Sequence, residues 1–188
     1  MTSTMMSSAN GMAPPAYTVT ARVLHWLTAV LVLIMIPVGV IIAYEWGGAW
    51  QERLYNLHKA VGAVLIPIII VRLIYRLTHP PAPLAADIPA LQRFVAHANH
   101  WALYILLLIQ PFLGWIATSA YPAPVSVFGL FNMPQIWPAN RALSDQLFAL
   151  HRAVGIALAV LVAMHVGGAL YHHFIRRDRV LMRMITGG

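Results

Sequence analysis

Residues 57–65 read LHKAVGAVL, and residues 150–158 read LHRAVGIAL. Each copy holds a histidine (His58, His151), then a cation (Lys59, Arg152), then a glycine four residues after the histidine (Gly62, Gly155). Each stands at the front of a long apolar run, and those runs decide the fold. Four stretches, Val23–Tyr44, Leu57–Tyr75, Trp101–Tyr121 and Leu147–Ile175, reach the roughly 20 residues needed to span a bilayer. The chain is 60% hydrophobic and 9% charged, far below the roughly 25% charged residues of a soluble domain. The expectation is an all-α integral membrane four-helix bundle.

Three segments follow. Residues 1–17 read as a disordered tail, 18–184 as the transmembrane domain and 185–188 as a C-terminal tail. The first sixteen residues, MTSTMMSSANGMAPPA, carry no charge and no apolar core, so they do not read as a signal peptide. The chain has no cysteine, which excludes disulfides, thiolate metal sites and iron–sulfur clusters. Histidine is left as the strong ligand type.

The net charge of +7 is distributed as a topology signal rather than as a nucleic-acid surface. Arg22 precedes the first span. Arg72, Arg76 and Arg93 flank the second connection, and Arg176, Arg177, Arg179 and Arg183 follow the fourth span. The other two connections hold or border Arg53, Lys59, Arg141 and Arg152 beside Glu45, Glu52 and Asp145. The positive-inside rule then places both termini and the 76–100 connection in the cytoplasm. The basic excess faces anionic lipid headgroups, and no nucleic-acid partner is expected.

Tyr44-Glu45-Trp46-Gly47-Gly48 reads as an interfacial turn and Thr78-His79-Pro80-Pro81-Ala82-Pro83 as a stiff extended linker. The third helix is expected to start near Pro89 or Ala90. The connection 122–143, with Phe128, Phe131 and Trp137, is expected to lie over the outer end of the bundle. Pro37, Pro67 and Pro111 fall inside helices one to three and predict kinks.

Nine histidines occur, most of them in or beside spans, where an ionisable side chain is expensive and reads as functional. His25 lies near the inner start of helix one, and His58 and His151 near the outer starts of helices two and four. His165 follows His151 by fourteen residues, about 21 Å deeper at 1.5 Å per residue and on the same helix face. Depth alone then pairs His58 with His151 and His25 with His165. The second match is looser, because counting from the helix ends leaves several residues of difference. Two imidazoles without a carboxylate suit the axial positions of a b-type haem. They suit zinc poorly, since zinc takes three or four protein ligands. Two haem b groups are expected.

On this reading Gly62 and Gly155 leave room for a porphyrin edge, or serve close helix packing. Lys59 and Arg152 neutralise a haem propionate, or snorkel to the interface. Arg22, one turn before His25, is the corresponding candidate at the inner level. His97 and His100 share a face, and His172 lies seven residues after His165. The three are candidate hydrogen-bond or proton donors to a quinone head group, or interfacial histidines bound to lipid headgroups. His79 lies in the proline linker.

The residues Leu24-His25-Trp26-Leu27, Leu57-His58 with Gly62, His97-x-x-His100, Gly114-Trp115, His151 with Gly155, and His165 followed by His172-His173-Phe174 resemble the bacterial cytochrome b561 family. The resemblance covers Thr18 to Met184. It implies a four-helix dihaem membrane protein whose haem ligands match His25, His58, His151 and His165. It also implies electron transfer between a periplasmic donor and the quinone pool. In the superoxide oxidases of that family, superoxide becomes dioxygen and ubiquinone becomes ubiquinol. The expected function is therefore oxidation of superoxide, or of another small periplasmic donor, coupled to ubiquinone reduction. One rival is a membrane-anchor cytochrome b subunit that docks a redox protein on the 122–143 connection. Another is a haem-free metal or proton transporter, disfavoured by the lack of acidic residues inside the spans.

Overall fold

A computed structural model describes residues 17–80 and 88–187. The expected tail over residues 1–16 and the prolines at 81 and 83 lie outside the described residues. Four long helices form the molecule: α1 (Val19–Ala43), α2 (Gln51–Thr78), α3 (Ala90–Ala120) and α4 (Arg141–Tyr171). All four are long and apolar enough to cross a membrane. α1 closes most closely on α2, and α3 on α4; α2 and α3 meet between the pairs, and the α1–α4 seam is the thinnest.

Local chemistry fixes the ends. Thr18 caps α1 by accepting from the Ala21 amide, five residues before the apolar run begins at Val23. Glu45 and Gly48 take positive φ in the α1–α2 turn. Gln51 ties that turn together, donating to the Ile42 carbonyl at 2.9 Å and accepting from the Gly47 amide at 3.0 Å. Asn140 caps α4 through the Leu143 amide. The helices run on through Pro37, Pro67 and Pro111.

Between α3 and α4 lies a two-stranded antiparallel hairpin, β1 (Ser126–Val127) and β2 (Phe131–Asn132). Phe128 and Gly129 take positive φ in its three-residue loop, closed by the Leu130 amide donating to the Val127 carbonyl at 3.0 Å. Val125 and Val127 are buried. Lys59 donates to the Pro124 carbonyl, Trp115 to that of Pro134, and Gln135 to that of Ser119. The connection is thus pinned to the end of the bundle where α2 begins and α3 stops, the end expected to be the outer one, and Phe128, Leu130 and Phe131 project away from it.

The C-terminal end departs from a simple basic tail. α4 passes into a π-helical turn, His172–Arg176, and Arg177 takes a left-handed conformation that turns the chain. A short helix, α5 (Val180–Ile185), then folds back. Trp26 donates to the Met184 carbonyl, Arg22 donates to that of Ile185, and buried Arg183 lies over the Tyr17 ring. Tyr17 and Ile185 therefore belong to the folded unit rather than to tails. Asp178 holds the elbow, accepting from His172 Nδ1 at 2.5 Å, from Arg176 and from the Val180 amide. Burial works to raise its carboxyl pKa, but the His172 bond and the other donors prevail and hold it below the usual carboxylate value.

The core shows a second repeat. His25-Trp26 and His100-Trp101 each begin a turn that reaches a glycine fourteen residues later, Gly39 and Gly114. Val32 and Leu107 sit at matched places between them, and Leu65 and Leu158 match within the nonapeptide copies. All four are buried in one central cluster with Val61 and Ile69. The bundle is thus two similar helical hairpins, α1–α2 and α3–α4, set side by side. Internal repeats of this parallel kind are common in membrane proteins.

Candidate functional site

The outer half of the bundle encloses an apolar cavity of about 950 Å³, toward the upper end for sites that hold cofactors. His58 of α2 and His151 of α4 face each other across it, ring centroids 6.0 Å apart and planes at 80°. Each imidazole is seated by a glycine of the neighbouring helix. A Cβ on Gly39 would come within 3.3 Å of His58 Cε1, and one on Gly114 within 3.2 Å of His151 Cε1. The nonapeptide glycines do a different job. A Cβ on Gly62 would meet the Met35 methyl at 3.8 Å, and one on Gly155 the Gln110 amide nitrogen at 3.1 Å. Gly155 is a close-approach position facing α3, Gly62 has room for ordinary contact with α1, and both line the cavity.

The two outer histidines differ in their second contacts. His151 Nδ1 donates to the Gln110 carbonyl at 3.0 Å, and the Gln110 amide returns a bond to the His151 carbonyl at 2.9 Å. With its proton on Nδ1, the ring keeps a lone pair on Nε2, which accepts from the Gln110 amide at 3.3 Å and is the nitrogen a metal-ligating imidazole would offer. His58 Nδ1 is buried without a hydrogen-bond partner. Lys59 and Arg152 line the same cavity; Lys59 also holds the Pro124 carbonyl at 3.0 Å.

The inner level gathers His25 of α1, His165 of α4 and His100 of α3. The His25 and His165 centroids are 6.1 Å apart, and those of His100 and His165 are 5.1 Å apart. Arg72 of α2 was counted from sequence among the cations flanking a connection. It lies instead within α2, its Nη2 donating to His25 Nδ1 at 2.9 Å and its guanidinium over the Tyr104 ring. A guanidinium can only donate, so neutral His25 carries its own proton on Nε2 in this arrangement. Ligation through Nε2 would move that proton to Nδ1 and turn the guanidinium aside.

The three histidines expected around a quinone stand in different surroundings. His97 is exposed, His100 turns to His165, and His172 is engaged by Asp178. Arg22 reaches the Ile185 carbonyl at 3.3 Å, while its Nε is buried and unpartnered.

A metal held by two imidazole nitrogens at about 2.0–2.1 Å places the ring centroids roughly 6 Å apart. The spacings of His58–His151 and His25–His165 meet that requirement. Among the described residues no group of three or more ligating side chains is arranged to hold a bare metal ion. A metal here needs its remaining donors from a macrocycle, and an apolar cavity with paired imidazoles fits a haem.

The glycine seats yield a sharp comparison. His151 is pinned by its bond to the Gln110 carbonyl, so it cannot give way to a new methyl group; His58 has no such tether. Gly114→Ala is therefore expected to disturb the outer pair, with lowered haem occupancy or a shifted α-band. Gly39→Ala is expected to stay close to the unsubstituted spectrum, and reduced-minus-oxidised spectra of the two variants check this.

Gly39, Gly114, Gln110 and Arg72 were not singled out from sequence as parts of the site. The signal was present in the paired His-Trp dipeptides and in two polar side chains deep in apolar spans.

Comparison with known proteins gives a consistent picture. Residues 16–187 match the family described as prokaryotic cytochrome b561. "Cytochrome b561 homolog 2" of Escherichia coli K12 is 34% identical over 174 residues, 92% of each chain. "Cytochrome b561 homolog 1" of the same organism is 28% identical over 165 residues, 86% of this chain and 92% of that one. "Probable superoxide oxidase CybB" of Yersinia pestis is 26% identical over 166 residues, 86% of this chain and 91% of that one.

Proposed function

This chain belongs to the prokaryotic cytochrome b561 family, and on that premise we propose that it oxidises superoxide at its outer face and reduces ubiquinone. Family membership makes it a multi-pass bacterial membrane protein of electron transfer that binds haem b. The finer reading assigns two haems, one between His58 and His151 and one between His25 and His165. Both termini lie in the cytoplasm and the cavity opens toward the periplasm of the inner membrane. The observation that carries this reading is the outer cavity, where two imidazoles at metal-bridging distance share the lining with two cations.

Bound haem supplies the one-electron redox chemistry. The chain orients the imidazoles through Gly39, Gly114 and Gln110, and excludes water with the apolar core between the two levels. Lys59 and Arg152 supply positive charge at the cavity, where an anionic donor is drawn. His100, with His97 one turn earlier on α3, is the candidate hydrogen-bond partner of a quinone carbonyl. Overall, two superoxide anions, two protons and one ubiquinone give two dioxygen and one ubiquinol. With the levels about 21 Å apart along α4 and wide macrocycles between, no dissolved carrier crosses the lipid.

The purified protein, given enzymatically generated superoxide, is expected to form one ubiquinol for every two superoxide anions consumed. Consumption that ignores added ubiquinone, or ends in hydrogen peroxide, would refute the assignment. The exposed apolar tip of the hairpin, Phe128, Leu130 and Phe131, favours one alternative, a cytochrome subunit that docks a redox protein there. Unaided superoxide oxidation would exclude that subunit role.

A further inference from the structure

We propose that Arg72 is the fixed cation of the inner redox level, a positioning residue that raises that level's affinity for an electron and acts only weakly on the outer level. The inference rests on the reading above that His25 and His165 hold a haem.

The repeat marks the position. Arg72 follows His58 by fourteen residues, as His165 follows His151. Overlaying the nonapeptides therefore puts Arg72 at the place in α2 that His165 holds in α4. The outer level is built alike in both hairpins, with His58 seated on Gly39 and His151 on Gly114. At the inner level the hairpins differ: α3–α4 bring two imidazoles together, whereas α1–α2 bring an imidazole and a guanidinium. The substitution turns two similar halves into two unlike redox levels.

Its charge is not cancelled locally. Among the described residues the partners of Arg72 are the His25 ring and Tyr104, and no carboxylate pairs with it. Its guanidinium does not give up its proton, and a charge within the bundle is screened far less than one at the surface. An electron arriving beside a fixed positive charge is lowered in energy. The outer level lies about 21 Å away along the helix, where the same charge acts several-fold more weakly. Arg72 therefore adds a pull on the electron toward the inner level, against that of Lys59 and Arg152 at the outer one. Ligation of His25 through Nε2 moves the guanidinium off Nδ1 without removing it from this level, because α2 and Tyr104 still hold the side chain.

Spectroscopic redox titration of the purified holoprotein tests this, with Arg72→Gln compared against Arg72→Lys. Two components are expected in the unsubstituted protein. Arg72→Gln should move one of them to lower potential and leave the other nearly in place, while Arg72→Lys should keep both near their original midpoints. Two components that Arg72→Gln leaves unmoved would overturn the role of Arg72 while the two-haem reading stands. Equal movement of both, or Arg72→Lys behaving like Arg72→Gln, would overturn it as well. A single component in the unsubstituted protein would instead remove the two-haem reading beneath it.

Discussion

Protein carrying His58→Ala is expected to retain about one haem per chain, against about two in the intact protein, and His151→Ala is expected to lose the same one. The two rings stand 6.0 Å apart on different helices, so each substitution leaves the iron with one protein ligand. The double variant should lose no more than either single one, since interaction within a pair makes the effects non-additive. Pyridine haemochrome assay counts the haem, and the surviving α-band identifies it. Retention of the inner component shows in the same measurement that the bundle has folded. A double variant with no haem, where each single one keeps one, would dissolve the pair.

At the inner level the geometry forces a choice among three imidazoles. His165 lies 5.1 Å from His100 and 6.1 Å from His25, centroid to centroid. A metal bound on both sides at about 2.0–2.1 Å needs roughly 6 Å between rings, a spacing that favours His25 as the proposed partner over His100. His165→Ala and His25→Ala should each reduce the haem count from about two to about one. His100→Ala should keep about two, with at most a shift in the inner band. An outcome in which His100→Ala loses a haem and His25→Ala does not would reverse the assignment.

The two levels and the helix content were legible because a span enforces one period and one depth scale. Fourteen residues between His151 and His165 return α4 to the same face, and the positions of His25 and His58 within their own spans set their depth. What was not legible depended on neighbours. Gly62 and Gly155 drew attention by standing in a repeat, yet the glycines under the imidazoles are Gly39 and Gly114 on the facing helices. Arg72 looked like a flank charge because a cation near a span end commonly snorkels; only packing turns its head toward His25. His172 shares the inward face of His165 by helical arithmetic, but a π-turn and the left-handed Arg177 bring Asp178 back to claim it. α5 escaped notice because six residues with one arginine carry too short a pattern to distinguish a docked helix from a basic tail.

The thin seam between α1 and α4 bears on how the chain matures. The contacts that close the ring between α1 and α4 are few. His25 and His165 reach across that gap. A prosthetic group clasped by both would act as the final fastener, binding the closed form and drawing the assembly equilibrium toward it. Cells starved of porphyrin would then hold a loosely gathered quartet open to membrane proteases, and supply of the pigment would govern how much of the chain survives.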